Sequence, residues 1–166
     1  MTQYKLQDAD IIIDLQQQQM RLPKLNKHYV ISTGKNGIGE QENSGMTPRG
    51  WHCVANKFGY DLSENTVFIA RQATGEIYSP ELAAEFPNRD WILTRILWLA
   101  GLEQGFNRGE GCDTYQRYIY IHGTPDTEPM GIAQSHGCIR MRNKDILELF
   151  ELIPEQALVY LAEKSL

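Results

Sequence analysis

Long apolar runs are absent from this sequence of 166 residues. No segment approaches the roughly eighteen consecutive apolar residues that a membrane-spanning helix needs. The N-terminal region also lacks a basic stretch followed by an apolar core, and Asp14 interrupts the short run from Ile11 to Ile13. It therefore does not resemble a secretory signal. We expect a cytoplasmic protein that is not associated with a membrane.

Clustered positive charge is missing as well. The formal net charge is −5, and the 16 lysine and arginine residues are scattered along the chain. Proteins that bind nucleic acid neutralise its phosphates with a concentrated basic surface. The composition therefore argues against a nucleic-acid partner.

Motifs typical of metal or nucleotide sites do not occur either. The three cysteines are irregularly spaced, which does not suggest a disulfide framework and leaves a thiol free to react. His122, His136, Cys112 and Cys138 carry atoms that bind zinc, but the chain contains neither C-x-x-C nor H-E-x-x-H. The glycine-rich segment 34–39 lacks the spacing of a phosphate-binding loop. We predict neither a metal ion nor another cofactor.

What the sequence does contain is a series of short β-branched and aromatic runs separated by Gly, Asn, Asp and Pro, which is typical of strands joined by turns. An apolar stripe between Asn143 and Pro154 predicts a helix capped by Asn143, and a shorter helix is predicted over 80–86. The length favours one domain, 1–166. We predict a mainly-β fold with strands over 11–15, 17–22, 29–32, 50–55, 67–71, 92–99, 117–122 and 157–161.

The chemistry of the chain centres on Cys138. A cysteine is a good nucleophile only as a thiolate, so it needs a neighbouring group that removes the thiol proton. His136 lies two positions away, where an extended or tightly turned backbone tends to direct its side chain elsewhere. His122 lies at the end of the predicted strand 117–122, and the intervening loop is long enough to bring it across the site. We predict that Cys138 is the nucleophile and His122 its general base.

Acyl transfer also needs hydrogen-bond donors for the oxygen that becomes negative in the tetrahedral intermediate. Gly137 permits a close turn of the backbone, so its amide and that of Cys138 are predicted to form this oxyanion hole. Arg140 is predicted to bind or orient a carboxylate of the substrate. A carboxylate or a backbone carbonyl should orient the second ring nitrogen of His122. The carbonyl of Gly123 is the local candidate, because no nearby acid except Asp126 stands out.

The segment Ser135-His136-Gly137-Cys138-Ile139-Arg140, preceded by His122, resembles the signature of the L,D-transpeptidase catalytic domain (YkuD) family. The likeness extends to 47–50, 94–99 and 117–124, and so covers nearly the whole chain. It implies a YkuD-like β-sandwich or barrel of mixed strands with one or two short helices. It also implies that Cys138 is the nucleophile, that His122 is the base, and that the loop shaping the oxyanion hole consists of Ser135, His136 and Gly137.

The substrates that this resemblance implies are peptidoglycan stem peptides, free or within muropeptides. Enzymes of this kind attack the carbonyl at the L-centre of a diamino acid, release the terminal D-alanine, and pass the acyl group to an amine or to water. Carbapenem-type β-lactams acylate the cysteine of many members, and we expect them to act as covalent inhibitors here.

The identity of the acyl acceptor follows from the expected location. Polymerised cell wall lies outside the cytoplasm, whereas soluble stem peptides return to it for recycling. We therefore expect an L,D-carboxypeptidase that trims tetrapeptide to tripeptide, with an L,D-transpeptidase that forms cross-links or exchanges D-amino acids as the alternative. A third hypothesis is a non-catalytic module that binds peptidoglycan fragments. The presence of both Cys138 and His122 argues against it, because a pure binding protein needs no nucleophile.

Overall fold

The computed structural model of the protein describes residues 3–165. A short 3-10 turn (Leu6–Asp8) precedes the first strand, and two α-helices are formed, α1 (Pro80–Glu85) and α2 (Asn143–Leu152). The described residues form ten strands: β1 (Ile11–Asp14), β2 (Gln19–Leu22), β3 (Lys27–Ser32), β4 (Gly50–Phe58), β5 (Thr66–Ile69), β6 (Gln72–Ile77), β7 (Ile92–Gly101), β8 (Tyr120–Thr124), β9 (Ile139–Arg142) and β10 (Leu158–Ala162). The predicted domain 1–166 includes Met1, Thr2 and Leu166, which lie outside the described residues.

Eight of the strands close into a barrel. Their order around it is β4-β10-β1-β2-β3-β9-β8-β7, and β7 pairs again with β4 to complete the ring. The β1–β10 and β8–β9 pairs are parallel, whereas the other pairs are antiparallel. The β5–β6 hairpin extends the sheet beyond the ring through the pairing of β5 with β7. The predicted mainly-β fold of mixed strands with two short helices is therefore confirmed.

The elements agree with the sequence pattern except in four places. The predicted strand 117–122 begins later, at Tyr120, and continues to Thr124, so His122 lies in the middle of β8 and not at its end. Asn143 is the first residue of α2, and Arg142 occupies the cap position in its place. The pattern does not predict β6 and β9, which are short and rich in polar residues.

The interior of the barrel is filled by alternate side chains of its strands and by one face of α2. Ile11 and Ile13 belong to the central core, whereas Ile12 between them packs outside the barrel with Trp51. This alternation follows from the two-residue period of a strand. Helix α2 adds an apolar face to the core through its buried residues Ile146, Leu149 and Phe150. Among residues 3–165, no helix is long and apolar enough to cross a membrane.

A bulge near the start of β7 shapes the site described below. Thr94 in this bulge is buried and has a φ of 75°, which is unusual for a β-branched residue. Its hydroxyl donates a hydrogen bond of 2.5 Å to the side-chain oxygen of Asn143 at the start of α2. A Cβ at Gly123 would lie 2.5 Å from that oxygen and 2.6 Å from the carbonyl oxygen of Leu93. Only glycine therefore fits at position 123 without a shift of the bulge.

Candidate active site

Cys138 and His122 lie on the same face of neighbouring strands. In the parallel pairing of β8 with β9, Ile121 is opposite Ile139 and His122 is opposite Arg140. Ile121 and Ile139 belong to the barrel core, so the alternation of side chains directs His122 and Arg140 to the outer face. Cys138 immediately precedes β9 and is half-buried outside that core. The strand register thus places the two residues predicted to act as nucleophile and base on the same outer face of the barrel.

The thiol of Cys138 is held in its protonated form. Its sulfur accepts a hydrogen bond from the Tyr120 amide at 3.3 Å and donates one to the Tyr118 carbonyl at 3.4 Å. Burial raises the pKa of Cys138 to about 12, despite the opposing effect of the Tyr120 amide. A thiol with this pKa carries a negligible fraction of thiolate near neutral pH, so its reaction requires a base at the moment of attack.

His122 is suited to be that base because it is buried and neutral. Its side chain is 1% exposed, and burial lowers its pKa below the ordinary value. Nδ1 lies 2.6 Å from the carbonyl oxygen of Gly123. A carbonyl can only accept a hydrogen bond, so Nδ1 carries the proton and Nε2 keeps its lone pair. The main-chain contact thereby fixes both the tautomer and the direction of the ring.

The turn before the nucleophile is held by hydrogen bonds within the motif. Ser135 Oγ donates to the Cys138 carbonyl at 2.6 Å and accepts from the Gly137 amide at 3.1 Å. The hydroxyl of Thr47 donates to the Gly137 carbonyl at 2.8 Å. Two amides, those of Gly137 and Cys138, are predicted to form the oxyanion hole. The Gly137 amide donates to Ser135, whereas the Cys138 amide does not and so remains available.

Replacement of Gly137 by alanine is expected to lower kcat by roughly 100-fold, because a displacement of about 1 Å at the reacting atom costs that much. Gly137 has a φ of 124°, and a Cβ there would lie 3.2 Å from the Met46 carbonyl oxygen. Gly131→Ala is the matched control, since Gly131 has a φ of 84° and its Cβ would make only an ordinary contact of 3.6 Å with Val30. Steady-state kinetics and thermal unfolding of both variants test this. Equal losses of activity would contradict a local role for Gly137.

A cluster of charged side chains surrounds Asp90 on the His122 side of the site. One carboxylate oxygen of Asp90 is 3.1 Å from Nδ1 of His136, and the other is 3.1 Å from Nη2 of Arg140. A carboxylate oxygen of Glu128 lies 3.8 Å from Nη1 of Arg140. Burial opposes ionisation of Asp90, but its hydrogen bond with His136 and the adjacent positive charge of Arg140 help to outweigh this effect and lower the pKa of the carboxyl group.

The residues of this cluster have different degrees of exposure. The Arg140 side chain is 10% exposed, and its Nε is buried without a hydrogen-bond partner. The side chain of His136 is 76% exposed. Among residues 3–165, no hydrogen bond joins it to the thiol of Cys138. Arg140 thus already has a carboxylate partner in Asp90, and its predicted binding of a substrate carboxylate remains a prediction.

Several residues of the site are not predicted by the sequence. They are assigned no role in the site from the sequence, and they reach it through strand pairing and loop packing. One of them, Arg117, donates a hydrogen bond of 2.6 Å to the Met46 carbonyl and anchors the segment before Thr47. No group of three or more His, Cys, Asp or Glu side chains within 3–165 is placed to hold a metal ion. The residues that sequence reasoning misses are Thr47, Arg71, Asp90, Arg117, Tyr118 and Tyr120.

The chain is similar to known proteins both in sequence and in fold. The model of the L,D-transpeptidase catalytic domain, YkuD, matches residues 8–161. A putative L,D-transpeptidase YkuD of Bacillus licheniformis is 53% identical over 39 residues, which are 24% of each chain. L,D-transpeptidase 3 from Mycobacterium tuberculosis, solved with a faropenem-derived adduct, aligns with a TM-score of 0.55 at 14% identity over 92% of this chain and 59% of its own.

A second solved structure, LD transpeptidase LdtMt1 in complex with imipenem, aligns with a TM-score of 0.52 at 15% identity over 92% of this chain and 57% of its own. The chain thus spans a little more than half the length of these two structures, and at such identities they support the fold alone. The family model, in contrast, matches almost all of the sequence. The chain belongs to the L,D-transpeptidase catalytic domain family, YkuD.

Proposed function

We propose that this chain is a cysteine acyl-transfer enzyme that acts on peptidoglycan stem peptides and is best described as an L,D-carboxypeptidase. The observation that carries the proposal is the arrangement of Cys138 beside β8, with its thiol on the same face as a buried, neutral His122 whose Nε2 is free to accept a proton. Such a pair of nucleophile and base is the minimum requirement of covalent acyl transfer.

In the proposed acylation, Nε2 of His122 takes the proton of the Cys138 thiol as the sulfur attacks the carbonyl carbon at the L-centre of the diamino acid. The amide of Cys138 stabilises the oxygen that becomes negative. When the C–N bond breaks, His122 returns the proton to the amine of the departing D-alanine. A thioester on Cys138 remains. Water, deprotonated by His122, then attacks the thioester and releases the shortened peptide and the thiol.

The surroundings of His122 support a small, charged leaving group. The leaving amine must lie beside His122, because this residue supplies its proton. The adjoining pocket is lined mainly by polar and charged side chains, including Asp90, Glu128, His136 and Arg140. Arg140 and His136 are suitable for the carboxylate of a terminal D-alanine, and water fits a polar pocket of this kind better than a second peptide strand does. This favours hydrolysis.

Transpeptidation is the second candidate, since the family and the relative described above carry the name of that reaction. It uses the same thioester, which is passed to an amine. We also propose that carbapenem-type β-lactams acylate Cys138. LdtMt1 in complex with imipenem and the faropenem-derived adduct of the Mycobacterium tuberculosis relative support this inference.

Mass spectrometry of a purified tetrapeptide in water enriched in heavy oxygen, with and without a labelled D-amino acid, tests the proposed function. An L,D-carboxypeptidase gives a tripeptide with one heavy oxygen in its new carboxylate, together with free D-alanine. Incorporation of the labelled D-amino acid, or the appearance of peptide dimers, would identify a transpeptidase instead. If the peptide binds but is unchanged under all conditions, the chain is a binding module.

A further inference from the structure

Arg71 contacts the two tyrosines whose main-chain groups hydrogen-bond the thiol of Cys138. It lies at the tip of the β5–β6 hairpin, between Ile69 and Gln72, which pair with each other. Its Nη1 donates a hydrogen bond of 2.8 Å to the hydroxyl of Tyr120. Its guanidinium carbon is 4.5 Å from the centre of the Trp98 ring and 5.1 Å from that of Tyr118. The guanidinium is thus held against two aromatic rings and one hydroxyl group.

The residues that hold Arg71 also hold the thiol. The Tyr118 carbonyl accepts the hydrogen bond of Cys138, and the Tyr120 amide donates to its sulfur. Trp98 is buried and stacks on Tyr115 with ring centres 3.9 Å apart and an angle of 6° between the planes. The guanidinium therefore packs on aromatic residues that are themselves packed together, and two of these residues are hydrogen-bonded to the thiol of Cys138.

No carboxylate of the described residues neutralises this guanidinium. Within residues 3–165, Arg71 has no Asp or Glu within 4.0 Å, whereas Arg89 pairs with Glu76 and Arg140 with Asp90. A guanidinium carries several N–H donors in a fixed planar fork that matches a carboxylate. One hydrogen bond of Arg71 goes to Tyr120, and its other donors remain available to a ligand.

The backbone at the hairpin tip is strained, because two non-glycine residues there have positive φ angles. Ala70 has a φ of 49° and Arg71 a φ of 64°. A two-residue hairpin turn with both residues in the left-handed region is normally made by Asn-Gly or Asp-Gly. Residues with a larger side chain are destabilising in that region, and such strain is retained mainly at functional sites. An arginine at this position is costly for the fold, which is consistent with a role in binding.

The position of Arg71 indicates which part of the substrate it meets. The leaving amine must lie beside His122, where Asp90 and Arg140 are also found. Arg71 contacts Tyr118 and Tyr120, which precede His122 in the chain. Because Ile121 is opposite Ile139, Cys138 is level with Tyr120, and Tyr118 and His122 lie in opposite directions from it. The acyl part of the substrate extends to the Tyr118 side.

On the basis of the proposed function, we propose that Arg71, Trp98 and Tyr120 form a carboxylate-binding subsite for the acyl portion of the stem peptide. The ligand is either the carboxylate on the side chain of the diamino acid or that of the residue before it. Both present the same group to the guanidinium. If the subsite binds the side-chain carboxylate of the diamino acid, the enzyme should prefer a diamino acid with such a carboxylate over lysine, which has none.

Arg71→Asn tests the subsite, because asparagine tolerates the left-handed region and removes the charge. We expect KM for the tetrapeptide to rise roughly 10- to 100-fold, as for loss of a charge-assisted hydrogen-bonded pair, with a smaller change in kcat. The melting temperature should stay the same or increase. Ala70→Asn is the matched control, since it changes the same turn but keeps Arg71, and its KM should equal that of the wild type.

Peptides with one acyl-side carboxylate converted to an amide identify the ligand. In the wild type, amidation of the carboxylate that Arg71 binds should weaken peptide binding by the same factor as the Arg71→Asn substitution. In the Arg71→Asn variant, the same amidation should have no further effect on binding. Equal effects of amidation with and without Arg71, at both carboxylates, would overturn the proposal. Calorimetry in a Cys138→Ala background measures this binding without turnover, so the subsite is decided even if the wild type releases no D-alanine and the proposed function fails.

Discussion

Replacement of Cys138 by alanine is expected to lower the rate of D-alanine release from a tetrapeptide by roughly 10⁴-fold or more. The physical reason is that the substitution removes the sulfur proposed to form the thioester, so the proposed reaction would lose its covalent pathway. The alanine side chain fits the space of the thiol, and the fold should be unaffected. Enzymatic detection of D-alanine measures the rate, and calorimetry shows whether peptide binding survives.

Two other free cysteines supply matched controls for this variant. Cys53 is half-buried in β4, where burial raises its pKa, and it lines a cavity away from His122. Cys112 is half-buried in a turn and donates weakly to the Arg108 and Gly109 carbonyls. Cys53→Ala and Cys112→Ala should retain the rate of the wild type. A comparable loss in either would mean that thiol removal acts through the fold.

Intact-mass spectrometry after incubation with imipenem provides a readout that does not depend on the natural substrate. A single covalent adduct is expected on the wild type and on Cys53→Ala, whereas Cys138→Ala should remain unmodified. An adduct on Cys138→Ala would show that another group reacts with the β-lactam. It would contradict the assignment of Cys138 as the nucleophile.

The central part of the site could be predicted from the sequence because its residues are close together in the chain. The motif from Ser135 to Arg140 contains the proposed nucleophile, Cys138, and the Ser135 hydroxyl that holds its turn. His122 lies in a clear β-rich segment. The Gly123 carbonyl, next to His122, needs only a local backbone conformation to reach Nδ1. Contacts of this short range depend on the local geometry of a strand or a turn.

The remainder of the site depends on which strands become neighbours, and short polar segments carry little information about this. The parallel pairing of β9 with β8 aligns Arg140 with His122. It arises from closure of the barrel and not from a local pattern. Asp90 precedes β7 and meets Arg140 only in the folded chain. Arg71 comes from the β5–β6 hairpin, whose second strand is exposed and polar and therefore has no strand-like pattern.

These long-range contacts divide the surroundings of the thiol into two electrostatically different sides. On the His122 side, the positive charge of Arg140 is matched by Asp90 and Glu128. On the Tyr120 side, Arg71 has aromatic neighbours and no matching carboxylate among the described residues. If the proposed function is correct, we expect a carboxylate in the acyl part of the substrate to be attracted most strongly to the second side. This difference would set the direction of the peptide across Cys138.

His122→Gln is expected to lower kcat/KM by roughly 10²- to 10⁴-fold near neutral pH, which is the usual contribution of general acid–base catalysis. Glutamine can keep a hydrogen bond with its surroundings but cannot accept the thiol proton. His28→Gln is the matched control because His28 is exposed on β3, and it should leave the rate unchanged. His136→Gln should have a smaller effect than His122→Gln, since His136 contacts Asp90 and not the thiol.

The pH dependence of these variants distinguishes a base from a residue that only supports the fold. Burial lowers the pKa of His122 below 6.5, so the wild type should lose activity only as the pH falls through a value below 6.5, where His122 becomes protonated. In His122→Gln this acidic limb should disappear. The remaining rate should instead rise with the thiolate fraction, about tenfold for each pH unit, towards the Cys138 pKa of about 12. A variant that keeps the acidic limb of the wild type would show that another group, and not His122, removes the proton from Cys138.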